Sequence, residues 1–320
     1  MKPGLSVVMP TYQRASHLLL VLTPLLRDPS VDEVVVVVDG STDGSLELLH
    51  ELAAGDHRVR PLWQENAGAG AARQRAIDIA RHEVVLLLDD DVLAGPGLPS
   101  GHAAEHRRKP GRVILGHMPT RVPVRRRPGD VTTIRYATDY EHACREYLAH
   151  PDRILEHLWS GHLSMPRSLA IEVGWGDPDL VDLFPSEDRA LGLRLRDTGV
   201  EAAFCPELTA THLHRTSVAR FARDSRRQGA AQVVLHRRHP DVVARPTGRQ
   251  LAGRLPLPAR WLVLAAARDR RVGAAAQAAL VVLVALLGQL RLWPAQDVAL
   301  VVLQRTAQAT GTHGLPVTGA

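Results

Sequence analysis

At 320 residues the chain has room for one large domain or two smaller ones, and an apolar fraction of 45% suffices for a sizeable core. Aromatics at 4% are too scarce for a platform that stacks single-stranded nucleic acid, so no nucleic-acid partner is expected. The net charge of +5 favours anionic partners: nucleotides, sugar phosphates or an acidic membrane face.

The first ninety residues alternate between short apolar runs and helical periodicity. Leu5 to Met9 reads as a strand and Ser16 to Arg27 as a helix. Val34 to Val38 is a β-branched run, a buried strand by composition. "DGSTDGSLELLHELA" then predicts a turn and a helix, with Ser45 as its cap and Glu47 and Glu51 on its polar side. Val59 to Trp63 is a third strand candidate, "AGAGAARQRAIDIARH" an alanine-rich helix, and Val84 to Leu88 a fourth strand. Such alternation predicts an α/β fold with a mostly parallel central sheet covered by helices on both faces. Residues 102–127 are rich in Arg, Lys, Pro and Gly, with one strand candidate at Val113 to Gly116. "RVPVRRRPGD" within them reads as an exposed basic loop, either solvated or a clamp for an anionic group. "SEDRALGLRLRDTG" predicts a helix that buries Leu191, Leu193 and Leu195 and stops at Gly199. A basic helix follows from Val218 to about Gln232.

From Leu251 the chain is almost wholly apolar between arginines, a C-terminal helical extension. The segment 272–293 sits at the lower bound of a membrane-spanning length. A buried or amphipathic helical pair and association with a membrane, spanning or in plane, both fit it. The division expected is 1–235 for the main domain, with halves at about 1–117 and 118–235, and 236–320 for the helical region. Cys144 and Cys205 match no metal-ligand spacing and are expected as reduced thiols. "MKPGLSVVMP" has no apolar core of a secretory signal, so a cytoplasmic location is expected, peripheral at the inner face of the membrane if the C-terminal helices bind there.

The chemistry lies in the carboxylates. "VVLLLDDDVLAG" runs an apolar strand into Asp89, Asp90 and Asp91. Three like charges at one strand end need a neutralising partner. If the chain stays extended, Asp89 and Asp91 point to the same side, and hard oxygen ligands suit Mg²⁺ or Mn²⁺ carrying a diphosphate. Asp39 ends the second strand; it can accept from a base or sugar hydroxyl, or simply shape the "DGST" turn. Ligands of such sheets bind at the carboxyl ends of the strands, where both features sit. Arg73 follows "NAGAGA", where a guanidinium can reach a diphosphate. Glu187 and Asp188 open a helix, as a cap pair or as a general base.

Together these residues resemble the family 2 glycosyltransferases, which have the GT-A fold and use nucleotide-diphospho-sugars. The resemblance covers about residues 5 to 230 through "SVVMPTYQR", "VVVDGSTDGS", "NAGAGAARQRA", "LLLDDDV", "SGHLSMPRSLAIEVG", "SEDRALGLRLRDTG" and "THLHRTS" in family order. It implies that Pro10, Thr11, Tyr12 and Arg14 line the nucleotide pocket. Asp39 takes the base-contacting position, Arg73 and Asp89 the ribose and diphosphate side, Asp90 the variable middle position and Asp91 the metal. Val38 stands where many relatives carry a first aspartate. Gly161 and His162 match an acceptor-side "G-N" element, Glu187 lies beside them, and Asp188 matches the catalytic base. Ala190 replaces a further acidic residue, and "GWGD", Gly174 to Asp177, replaces "G-G-F-D". His212 matches a late histidine that joins the metal or diphosphate, with His214 a competing choice.

The resemblance implies an inverting, metal-dependent transfer of a sugar to an acceptor hydroxyl, with Mn²⁺ or Mg²⁺ as cofactor. A UDP-sugar is the expected donor, with dTDP- and GDP-sugars as the other choices. Two alternatives stand beside it. "LLLDDDVL" also fits a haloacid-dehalogenase-type phosphatase with Asp89 as nucleophile, though that motif usually opens its domain. A non-enzymatic basic scaffold at a membrane or on nucleic acid fits the charge but leaves the paired carboxylates unused.

Overall fold

The computed structural model describes residues 4–176, 187–253 and 255–313. In chain order its elements are β1 (Leu5–Thr11), α1 (Ala15–Leu26), β2 (Glu33–Asp39), α2 (Ser45–Gly55), β3 (Val59–Gln64), α3 (Ala69–Ile79), β4 (Val84–Leu88), β5 (Val92–Ala94), α4 (Leu98–Arg108) and β6 (Val113–His117). There follow α5 (Val131–Ala149), β7 (His162–Pro166), α6 (Arg167–Val173), α7 (Glu187–Asp197), β8 (Ala202–His212), α8 (Val218–Arg238), α9 (Gly248–Ala252), α10 (Leu257–Ala266), α11 (Arg270–Gln289) and α12 (Trp293–Gly311).

The strands form one sheet in the order β3-β2-β1-β4-β7-β6-β8-β5. β3, β2, β1 and β4 are parallel, as right-handed strand–helix–strand units require. β7 enters antiparallel between β4 and β6, β6 pairs parallel with β8, and β5 pairs antiparallel with β8. Every residue of β1, β2 and β4 is buried, because helices cover both faces of the parallel half. One cluster packs Leu18, Leu22 and Leu25 of α1 against Val34, Val36 and Val38; the other packs Ala72, Ala76 and Ile77 of α3 against Val35, Val37 and Leu87. The period-2 alternation of β2 thus feeds two cores.

By internal contacts the chain divides into two units. One comprises 1–121, 140–177 and 188–214; the other 122–139, 178–187 and 215–320. The second unit therefore takes α8 with the C-terminal helices.

Some expectations need correction. Ser45 is the first residue of α2, and the cap position is Gly44 at φ 84°. Asp43 does the capping from one residue further out, accepting from the Ser45 amide at 3.2 Å and the Ser45 hydroxyl at 2.5 Å. Within 102–127, where the sequence shows only one strand candidate, the chain continues α4 from Leu98 to Arg108; a left-handed Gly97 precedes it and Pro99 sits in its first turn, where no amide donor is needed. Asp177 of "GWGD" and Ser186, the first residue of the helix read from Ser186 to Gly199, lie outside the described residues. The helix itself, α7, buries Leu191, Leu193 and Leu195, and Gly199 has φ 75°.

Candidate active site

The parallel strands end on one edge, and there the sequence places its polar residues. β2 ends on Asp39, β1 on Thr11, and Asp89 follows β4 directly. With β1 between them, β2 and β4 stand two strand spacings apart, about 10 Å.

The three aspartates do not continue the strand. The chain turns at once, the Val92 amide donating to the Asp89 carbonyl at 3.0 Å. The expectation of an extended triplet with Asp89 and Asp91 on one side is thereby corrected. The turn gives each carboxylate a partner of its own, Arg73, Thr11 or His212, and sets Arg14 between Asp90 and Asp91, which is how the like charges coexist.

Asp89 is ion-paired with Arg73 of α3. The Arg73 guanidinium also stands over the Trp175 ring, 5.2 Å from its centroid, a cation–π arrangement. The Gln74 side chain of α3 accepts from the Trp175 amide at 2.6 Å, and Arg194 of α7 donates to the Gly174 and Trp175 carbonyls at 3.0 and 3.1 Å. Two helices thus clamp the segment that holds the ring. Trp175 is a site residue that sequence reasoning missed, for a lone tryptophan carries no periodic signal.

Asp90 accepts from the Thr11 hydroxyl at 2.8 Å. Burial and the neighbouring Asp91 push its carboxyl up to about 6. It braces the end of β1 and also lies 3.8 Å from Arg14 Nε. Asp91 has the opposite balance. Burial would raise it, but the hydrogen bond and charge of His212, with Arg14 beyond, outweigh that and hold it at about 2. His212 Nε2 lies 3.1 Å from Asp91 Oδ1 and Arg14 Nη2 3.3 Å from Oδ2. His214 completes a cluster: Asp91, His212 and His214 each offer a ligand atom within 4.8 Å of the others. Both histidines stand close enough to Asp91 to belong to one such cluster. An ionised carboxylate oxygen with two imidazole nitrogens at that spacing fits a divalent cation that takes mixed ligands, Mn²⁺ better than Mg²⁺.

Asp39 is buried, and its carboxylate accepts from Gln64 Nε2 at 2.7 Å and from the Ala67 and Gly68 amides at 2.9 Å each. It fixes the glycine loop that opens α3, where Gly68 has φ 90°. Oδ2 carries a single bond from Gly68, leaving capacity for one donor from outside. Pro10 and Thr11 are buried at the end of β1, and Tyr12 is half exposed just beyond.

Asp188 lies on the first turn of α7. The Ser160 hydroxyl donates to one of its oxygens and the Ser160 amide to the other at 3.2 Å. Burial raises its carboxyl above the usual range, opposed by the charge of Arg73 and by Ser160, while the Asp89 charge adds to the rise. Asp188, Arg73 and Asp89 therefore share one electrostatic neighbourhood. Glu187 is the residue before it, at the start of α7. Gly161 lies between these groups: its carbonyl accepts from the Asp89 amide at 3.2 Å, and a Cβ there would stand 2.9 Å from Asp89 Oδ2. Any larger residue at 161 would press on that carboxylate.

His162 goes elsewhere. Its ring is buried, with Nε2 2.8 Å from His102 Nε2, and it fills the space over Gly116. In this conformation its ring is buried against His102 rather than open to solvent.

The sequence profile of the family described as "Glycosyl transferase family 2" matches residues 6–167, just over half of the chain. The chain belongs to glycosyl transferase family 2. Among curated family relatives, the glycosyltransferase GlyG of Streptococcus pneumoniae serotype 4 is 30% identical over 115 residues, 35% of this chain and 38% of GlyG. The validoxylamine A glucosyltransferase of Streptomyces hygroscopicus subsp. jinggangensis is 36% identical over 120 residues, 36% of this chain and 28% of that protein. The aligned part thus spans less than two fifths of either relative. Among solved structures, the mannosyltransferase PcManGT from Pyrobaculum calidifontis, in complex with GDP-Man and Mn²⁺, superposes with a TM-score of 0.60 at 17% identity. That alignment covers 95% of this chain and 86% of that one, and supports the GT-A-like fold. Membership also disposes of the phosphatase alternative, whose nucleophile, Asp89, is here held by Arg73.

Proposed function

We propose that this chain transfers a sugar from a nucleotide-diphospho-sugar to an acceptor hydroxyl with inversion at the anomeric carbon. The observation that carries the reading is the meeting of two devices at one edge of the sheet: the Asp91–His212–His214 cluster and the Asp188–Arg73–Asp89 group. Membership of the family and a neighbour solved with GDP-Man and Mn²⁺ support it.

In this reading Asp39, Pro10, Thr11, Tyr12 and Arg14 form the nucleotide side of the site. Asp91, His212 and His214 would hold a divalent cation, Mn²⁺ fitting their donors best, and the ion when bound supplies positive charge to the diphosphate. Arg73 adds a guanidinium where leaving-group charge grows; Trp175 and Asp89 orient it. Asp188 takes the proton of the attacking hydroxyl. Its two bonds from Ser160 oppose the rise that burial imposes on the carboxyl. Gly161 keeps the acceptor side open. We assign 1–235 to the transferase domain and 236–320 to a helical region at a membrane surface on the cytoplasmic side.

The test is calorimetric binding of UDP, dTDP and GDP, each with Mn²⁺ and with EDTA, followed by transfer assays with sugars of the nucleotide that binds. Metal-dependent binding of one nucleotide supports the reading and names the donor class. A folded protein that binds none of them overturns it.

A further inference from the structure

In a helix of a water-soluble domain the apolar stripe faces the core and the polar residues face water. α11 is built the other way round. Its buried positions are Gly273, Gln277, Leu280, Val284 and Gly288. Its outward positions include Val272, Val282, Leu283 and Leu286, and the chain beyond adds Leu290, Leu292 and Val298, all between 42% and 68% exposed. α11 is the one helix among the described residues long and apolar enough to cross a membrane, yet only 28% of its apolar window is buried. A core helix would show the reverse.

The inner stripe is held by small residues and side-chain amides, the packing style of helices in lipid. Gln277 Nε2 donates to Thr310 Oγ1 at 2.9 Å, and Gln296 Nε2 to the Val284 and Pro128 carbonyls at 3.1 and 2.9 Å. A Cβ on Gly273 would stand 2.2 Å from Thr310 Oγ1, and one on Gly288 2.4 Å from Gln296 Nε2. On the outer side the face continues into an apolar groove of about 530 Å³ between α11 and α12, lined by Leu283, Leu287, Pro294 and Val298.

We infer that the outer face of α11 lies in the plane of an anionic lipid surface, its leucines and valines at the acyl boundary and its flanking arginines at the headgroups. This rests on the assignment of the C-terminal helices to a membrane, and not on the transferase reading. Charge selects the occupant. Arg260, Arg268, Arg270, Arg271 and Arg291 are exposed around the apolar face. The only carboxylates from 255 to 313 are Asp269, which caps α11, and Asp297, which pairs with Arg126. A second copy would bring arginines against arginines, whereas anionic headgroups neutralise them. Trp261, 66% exposed on α10, has the amphipathic ring found at membrane interfaces.

The same packing excludes a spanning pose. α11 is bonded along its length to α12 and the 128–130 turn, and α12 packs on α8 so closely that Gly229 and Gly311 have no room for a Cβ. α8 carries exposed Arg220, Arg223, Arg226, Arg227, Arg237 and Arg238. Crossing would strip α11 of its bonds or draw those charges into hydrocarbon.

The test is sedimentation of the full chain with vesicles of phosphatidylcholine alone and with phosphatidylglycerol added, at low and high salt. Alkaline carbonate extraction of the pellets and analytical ultracentrifugation without lipid complete it. The expected result is binding that needs phosphatidylglycerol and is released by high salt or carbonate without detergent. Leu283→Gln with Leu286→Gln should lower partitioning at least about tenfold. Arg270→Gln, Arg271→Gln and Arg291→Gln should each lower it roughly fivefold. Both sets change exposed side chains and should keep the wild-type melting temperature and nucleotide binding. Binding that resists carbonate keeps the membrane assignment and overturns the in-plane pose. Binding to neither vesicle overturns both. A lipid-free dimer that the leucine variants dissociate gives the face to a second copy and overturns the proposal.

Discussion

Arg73 pairs with Asp89 and, in the same position, lowers the carboxyl of Asp188 against its burial. One guanidinium therefore serves two carboxylates: it fixes the first and opposes the rise that burial imposes on the second. Arg73→Gln should leave Asp188 with burial and the Asp89 charge both raising it. The acid limb of the kcat/KM profile should then move to higher pH, and activity at neutral pH should fall about 10²–10³-fold, the usual loss of one stabiliser of developing negative charge. Trp175→Leu keeps the charge and removes the ring, so it should lower activity without moving that limb. A limb that stays put in Arg73→Gln would separate Arg73 from Asp188.

Asp188 is the proposed base, and its partner Ser160 gives the means to distinguish base from scaffold. Asp188→Asn should retain donor binding and lose roughly 10²–10⁴ in transfer rate. Ser160→Ala removes the hydrogen bond from the hydroxyl, one of the groups that lower Asp188, and keeps that from the amide, so its acid limb should rise in pH while the plateau rate survives. Loss of donor affinity in Asp188→Asn, measured by calorimetry, would contradict the assignment.

Asp91, His212 and His214 should act as a set. Asp91→Asn should weaken Mn²⁺-dependent nucleotide binding by at least about 10–100-fold, the loss seen when groups that merely support a ligand are removed. His214→Gln should weaken it less than His212→Gln, since only His212 also holds the carboxylate, at 3.1 Å. Titrations of Mn²⁺ at fixed nucleotide read both effects. An unchanged Mn²⁺ requirement in all three variants would remove the cluster from the site.

How much of this was legible in the sequence depends on how each feature is encoded. The four parallel strands announce themselves because a strand buried on both faces is a continuous apolar run, and β4 spans Val84 to Leu88 as read. β5 has three residues and no run to see, and α4 hides behind Pro99, Gly101 and its histidines. The carboxylates were visible as residues but not as geometry. The turn after Leu88 sets Asp89, Asp90 and Asp91 against Arg73, Thr11, Arg14 and His212, as many as 121 residues distant. Trp175 and Ser160 act through contacts made by helices distant in sequence, and no local pattern encodes such contacts. The reversed polarity of α11 is legible only in part. Its composition is apolar on all sides, so the sequence shows that a face must be exposed or covered, and only packing shows which.

A cluster of buried histidines packs on β7. His102 Nδ1 and His106 Nε2 lie 2.7 and 2.8 Å from the Ser164 hydroxyl, and His102 Nε2 lies 2.8 Å from His162 Nε2. Burial lowers His106 from 6.5 to about 4 and, with the nearby His117, His162 to about 3; His102 moves in the same direction. Glu105 opposes the shift at His106 only weakly. A depressed folded value means that the unfolded chain takes up protons first as pH falls. Stability from these groups is therefore complete above about 6.5 and declines from there toward the folded values. For His106 the loss between pH 7 and pH 4 is of order 3 kcal/mol. Other carboxylates also titrate in that window, so the informative quantity is a difference. His106→Gln should be about 1 kcal/mol less stable at pH 7, through the lost hydrogen bond to Ser164, and should lose less than wild type on going to pH 4. Denaturant unfolding at several pH values reads both. The two stability curves should converge as pH falls; parallel curves would show that His106 enters the fold already able to carry its proton.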